Sequence, residues 1–211
     1  MGNVIYLAEH RAAHQPPVRA ATPEFFFDVS CPLSYLTAER VERTLGDVEW
    51  VPVDGAALCD RGHAMRARAD ASARALRLPL VWPDDDDDAL VASRCAQRAS
   101  SFACEIGAGA AFALAASRLA FCGGFDLDDP ETLAEAAAAA GVPLEECLAA
   151  AGEAERDEAL HAAAQVLRAN DIEELPAIRI GDRWFQGDTG LMAAAAVLSD
   201  PRVGGRRLAP V

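Results

Sequence analysis

Cys31, Pro32, Leu33 and Ser34 form the stretch of this chain whose residue types and spacing point most directly to chemistry. They follow an apolar run, Phe25-Phe26-Phe27-Asp28-Val29, and open a helical pattern from Tyr35 to Val41. A cysteine at a strand-to-helix junction lies where the unsatisfied amides and the dipole of the helix favour a thiolate. Pro32 suits the first helical turn, where its missing N–H costs nothing. A second cysteine three residues on would complete a dithiol redox pair, but that position is Ser34. Ser34 falls one helical turn from Cys31, and from there its hydroxyl can donate to a thiolate. Ser30 reads as the cap of the helix. The motif thus offers a nucleophile with no internal resolving thiol, so an external thiol must release any mixed disulfide it forms.

The elements that hold this motif follow from hydrophobic pattern and punctuation. A strand is expected at 24–29, a helix at 32–45 ending at Gly46, and a strand at 49–53, giving a β-α-β opening with parallel strands. From 56 to 170 the patterns are helical, at 89–105, 107–121, 130–140, 143–151 and 153–169. Leu78-Pro79-Leu80-Val81-Trp82-Pro83 reads as extended loop, and the run Asp84 to Asp88 as a solvated turn before a helix. The chain then returns to β structure, with Ala177–Ile180 and Arg183–Gln186 flanking a Gly181-Asp182 turn, and closes on a helix at 188–198. Residues 1–22 show no sustained period and read as an N-terminal extension. The fold class is therefore α/β: a thioredoxin-like domain from 23–55 and 171–200, with a large all-helical insertion domain at 56–170.

Several quoted segments together resemble one known family. Asp28-Val29-Ser30-Cys31-Pro32-Leu33-Ser34-Tyr35-Leu36 is similar to an Asp-x-x-Ser-Pro-Tyr-Ser-Tyr/Trp-Leu opening, and Leu78 to Pro83 to a Leu-Pro-x-x-Trp-Pro segment. Phe112 to Phe121, with Arg118 inside it, and Gly124 to Pro130 match a helix and a turn of the same set, in the same order, followed by Phe185-x-Gly187. Over 23–198 the chain resembles the DsbA-like thioredoxin superfamily, in the branch of 2-hydroxychromene-2-carboxylate isomerases and kappa-class glutathione transferases. The resemblance implies that Leu175-Pro176 is a cis pair facing Cys31, with Leu175 offering backbone groups to a peptide or to glutathione. It also places Asp188 and Thr189 near a bound glutathione. Two departures stand out. The branch has its catalytic serine where this chain has Cys31, and its Asp-Arg pair before the last helix is replaced by Thr189-Gly190, with Asp188 one residue early.

The expected activity is that of a thiol enzyme acting on a small-molecule thiol or disulfide, with Cys31 and Ser34 catalytic and glutathione as cosubstrate. Glutathione-dependent isomerisation or transfer and thiol–disulfide exchange both remain open at this point, as does a non-catalytic binding module with a degenerate glutathione site. Trp82 can wall a substrate pocket between core and insert, or simply pack. Arg118 reads as an ion-pair residue more than as an anion holder, and His63 and His161 as non-catalytic.

A net charge of −14 argues against nucleic acid or an anionic membrane surface as the main partner. No apolar stretch reaches membrane-spanning length, and Met1 to His10 lacks the basic start of a signal peptide. The expectation is a cytoplasmic protein whose six cysteines are mostly reduced and show no metal-ligand spacing. The family resemblance is compatible with a homodimer.

Overall fold

Three consecutive phenylalanines in strand β1 (Glu24–Phe27) alternate faces, and that alternation sets the layers of the molecule. The structure, a computed structural model, describes residues 21–58, 63–82 and 93–199. Phe25 and Phe27 stack at 5.7 Å, and each meets the edge of Trp50, at 5.0 and 5.3 Å, on β2 (Glu49–Pro52). Phe26 faces the other way, 5.2 Å from the Trp184 ring on β4 (Arg183–Gln186). The sheet order is β2-β1-β3-β4, with β3 at Ala177–Ile180. β1 runs parallel to β2 and antiparallel to β3, and β3 and β4 form the expected hairpin. Glu24 and Arg179 lie opposite each other across β1 and β3 and form a two-pronged ion pair.

The helices are α1 (Pro32–Ala38) and α2 (Val41–Leu45), then α3 (His63–Leu76), α4 (Arg94–Glu105), α5 (Gly109–Gly123), α6 (Pro130–Ala140), α7 (Leu144–Gly152) and α8 (Asp157–Ala169), and finally α9 (Gly190–Ser199). Short 3-10 turns lie at Gly55–Ala57 and Ala154–Arg156. Among the described residues no strand interrupts the helical run between β2 and β3, so the α/β thioredoxin-like fold with a helical insertion is as expected. No helix among the described residues is long and apolar enough to cross a membrane.

Some boundaries depart from the sequence reading. The helix expected at 32–45 breaks at Glu39-Arg40, where Arg40 N–H turns tightly onto the Thr37 carbonyl at 2.9 Å. The packing changes just before the break: Leu33, Tyr35 and Leu36 pack with Phe26, Val53 and Leu175, whereas Ala38 and Val41 pack with Phe25, Phe27 and Trp50. The helix expected from 89 begins at Arg94, because Ser93 is extended and its hydroxyl caps the Ala96 N–H at 3.0 Å. The helix expected from 153 opens as a 3-10 turn after an extended Glu153. The aspartates 84–88, Cys59 and the N-terminal extension through residue 20 lie outside the described residues. Residues 78–82 carry neither helix nor strand, in line with the expected loop, whose Pro83 lies outside the described residues; Val81 N–H donates to the Phe121 carbonyl at 2.7 Å.

The helical insert is laced by ion pairs, of which Arg98 on Asp157 is the most enclosed, with both prongs at 2.7 Å. The Arg98 guanidinium holds the Asp157 carboxyl below its usual range against the opposing effect of burial, with Arg94 adding to the pull. A carboxyl depressed on folding stabilises fully above its unfolded value, near 4, and loses that contribution as pH falls through its folded value. Asp157→Asn is therefore expected to lower stability in urea unfolding by a constant amount between about pH 6 and 8. The gap to the unsubstituted protein should close only on acidification below about pH 4; a gap that persists unchanged into acid contradicts this assignment.

Candidate functional site

The site is built where β1 gives way to α1, and its hub is Asp28. The Asp28 carbonyl accepts from Cys31 N–H at 3.0 Å, closing a tight turn. Its side chain is 1% exposed: Oδ1 accepts from Ser30 N–H at 2.8 Å and Oδ2 from Gln97 Nε2 of α4 at 3.1 Å. Asp28 N–H in turn donates to Ser34 Oγ at 3.4 Å, so the Ser34 hydroxyl faces back onto the end of β1. Gly55 passes so close that a Cβ there would collide with Asp28 Oδ2. Turning the Gln97 amide toward the carboxylate leaves Gln97 Oε1 buried with no hydrogen-bond partner among the described residues.

Cys31 occupies the N-cap of α1 with extended backbone (φ −102°, ψ 118°), directly before Pro32. Its side chain does not cap the helix. Nor does Ser30, contrary to the sequence reading: its hydroxyl is drawn across to the start of α4, where it accepts from Ser93 N–H at 3.1 Å. Cys31 is fully buried in this conformation, in one cluster with Leu33, Leu58, Met65 and Leu175. The Leu175–Pro176 bond is cis, and the Pro176 carbonyl accepts from Gly187 N–H at 2.8 Å. Leu175 N–H is already donated, at 3.3 Å, to the carbonyl of Leu58.

A groove of about 370 Å³ opens beside this cluster, with Leu33, Leu58 and Leu175 on its apolar side and Arg68, Glu174 and Gln186 on its polar side. Arg68 of α3 bridges Glu174 at 2.8 Å and Asp188 at 3.0 Å, and Ser72 also donates to Asp188, at 3.1 Å. The hydrogen bond to Glu174 raises the Arg68 guanidinium above its usual value, with Asp188 adding to it against partial burial. Burial alone would raise the Asp188 carboxyl, but Arg68 and the Ser72 hydroxyl together hold it below the usual carboxylate range.

The residues singled out from sequence are distributed as follows. Leu175 lines the groove and shares a buried cluster with Cys31, and Pro176 is buried beside Leu175. Asp188 borders a neighbouring hollow of about 140 Å³ and joins the groove through Arg68. Thr189 is exposed ahead of α9 and lines neither space. Trp82 also lines neither: it packs on α3, donating to Asp70 at 3.0 Å with the Arg66 guanidinium 5.0 Å above its ring. Arg118 forms a two-pronged pair with Glu39, at 2.6 and 2.8 Å, and His161 lies 3.0 Å from Asp54. Arg68 and Gln97 were not foreseen; each sits in an ordinary helical pattern with nothing local to single it out. Asp28 did carry a signal, as the one charge in an apolar run.

Burial pushes the Cys104 thiol up to about 12, with Glu105 adding to the effect, and also raises Cys147. These two are poor nucleophiles at neutral pH. Among the described residues no three His, Cys, Asp or Glu side chains cluster as metal ligands would.

Residues 23–198 match the family model described as DSBA-like thioredoxin domain. Solved structures of similar fold include a 2-hydroxychromene-2-carboxylate isomerase, at TM-score 0.70 and 15% identity, covering 84% of this chain and 94% of that one. They also include the cytosolic disulfide reductase DsbM from Pseudomonas aeruginosa with GSH, at TM-score 0.60 and 18% identity, covering 84% and 96%. At such identities the likeness is one of fold. No curated protein matches the sequence significantly.

The Asp28 hub makes a direct prediction. Asp28→Ala leaves the Ser30 amide and the Gln97 side-chain amide buried without these acceptors, at on the order of 1–3 kcal/mol for each group. Denaturant unfolding should register that loss, while Asp28→Asn, which keeps an acceptor oxygen, should recover part of it. Equal stability of Asp28→Ala and the unsubstituted protein would contradict the hub.

Proposed function

The chain belongs to the DsbA-like thioredoxin family, and from that premise we propose that it carries out thiol–disulfide exchange with Cys31 as its only active-site nucleophile. The observation that carries this reading is the placement of Cys31: N-cap of α1, before Pro32, in one buried cluster with Leu175 of the cis pair and behind the groove. The amides of a first helical turn stabilise a thiolate at that position. Ser34, held against the Asp28 amide, supplies no second thiol.

The reaction balances in two steps. The Cys31 thiolate attacks one sulfur of a disulfide; the new bond joins Cys31 to that sulfur, the old S–S bond breaks, and the other half leaves as a thiolate. An external thiolate then attacks the mixed disulfide, forming a new disulfide and regenerating Cys31. Any small external thiol can fill this role; glutathione is one, brought forward by the fold likeness to a disulfide reductase solved with GSH. Leu33 and Leu58 must shift for a disulfide to reach the buried sulfur. The setting expected for this chemistry is the cytoplasm, where a thiol pool is at hand.

The test is intact mass after exposure to a small symmetrical disulfide, followed by peptide mapping. One adduct is expected, on Cys31, removed by added thiol and lost in Cys31→Ser. Ser34→Cys should convert the site to a dithiol, so that the adduct gives way to an intramolecular disulfide. An unreactive Cys31 in the folded protein overturns the proposal and leaves the binding-module reading in its place.

A further inference from the structure

Resting on that reading, we infer that the groove beside Cys31 selects disulfides carrying positive charge, such as those with an amine or basic side chain near the sulfur, over anionic ones such as oxidised glutathione. The first ground is the inventory of charge. Glu173, Glu174 and Arg68 line the groove, and Asp188 stands directly behind Arg68. Arg68 is the one cation among the described lining residues, and it is committed to two carboxylates, at 2.8 and 3.0 Å. Among the described residues, three carboxylates against one doubly paired guanidinium leave the wall net negative.

The second ground is the fate of the backbone donors. Residues 173 to 175 present three consecutive N–H groups at the groove, the arrangement from which an anion site is readily made. All three are spent internally: Gln186 Oε1 accepts from Glu173 N–H at 2.9 Å and from Glu174 N–H at 3.3 Å, and the Leu58 carbonyl accepts from Leu175 N–H at 3.3 Å. Gln186 thus turns its acceptor, and not its amide N–H₂, to the loop. The Glu174 carboxylate is held over Gly187, whose positive φ of 72° and bare Cα leave room for it; a Cβ there would collide with Glu174 Oε1. An incoming carboxylate finds acceptors and committed donors, whereas an ammonium or guanidinium finds carboxylate oxygens with lone pairs to spare.

The test compares the rate of Cys31 modification by cystamine, a dication, by the uncharged bis(2-hydroxyethyl) disulfide, and by oxidised glutathione, a net anion. Each rate is divided by that of N-acetylcysteine with the same reagent. At low salt the normalised rate should favour cystamine over oxidised glutathione by about ten-fold or more, and the preference should shrink as salt screens it. In Glu173→Gln/Glu174→Gln, which leaves most of the chain's negative charge in place, the preference should fall toward that of the uncharged reagent. Normalised rates that are equal, or that favour oxidised glutathione, overturn the inference while leaving Cys31 a nucleophile. A preference unchanged in the double variant assigns it to the overall charge of the protein and overturns the groove as its source. Absence of reaction with all three reagents instead overturns the proposed function.

Discussion

Asp28 is a nearly inaccessible carboxyl group at the point where the first strand turns into the first helix, and satisfying it ties together the turn that carries Cys31. Burying a carboxyl group is costly unless hydrogen bonds satisfy it, and here partners come from separate parts of the chain: the amide of Ser30 in the turn, and the Gln97 side chain from the helical insert. Gly55 must lack a side chain to leave room for it. Because α4 supplies Gln97, and because Ser93 N–H just before the same helix donates to the Ser30 hydroxyl, the insert is bonded directly to the turn that carries Cys31. The geometry of Cys31 is thus a property of both halves of the protein.

On the other side of the cysteine the same economy of polar groups decides what the groove presents. The loop leading to the cis proline has the amides of residues 173 to 175 accepted internally, by Gln186 and by Leu58, and its Glu174 carboxylate tied to Arg68. The apolar face, with Leu33, Leu58 and Leu175, shares a buried cluster with the thiol, which has no solvent exposure. A substrate must therefore both displace apolar side chains and be compatible with an acidic rim. The two demands fit a disulfide with short apolar arms around the sulfurs and a basic group beyond them.

Much of this was legible in the sequence. The strand-to-helix placement of Cys31 and the hairpin after Leu175-Pro176 are written in local pattern, because strand alternation and turn chemistry act over a few residues, whereas the cis Leu175-Pro176 pair came from the family resemblance. What local pattern did not carry was partnership across the fold. Ser30 looked like a cap until Ser93, 63 positions away, was brought beside it. Trp82 could be read either as a pocket wall or as plain packing, and it is Asp70 and Arg66 of α3 that hold it in place. Arg68 and Gln97 occupy ordinary helical positions, and their roles arise from which element packs opposite them. The passage of the chain from one core to the other between Leu36 and Ala38, just before the break at Glu39-Arg40, is likewise something no window of sequence contains.

The central claim is a nucleophile that depends on an outside thiol for release. The most direct measurement is the rate at which a preformed Cys31 mixed disulfide is lost, followed by mass spectrometry against the concentration of added thiol. The account predicts a linear dependence that passes through zero, since Ser34 cannot resolve the adduct. A substantial loss without added thiol, accompanied by a disulfide between Cys31 and another cysteine of the chain, would contradict it.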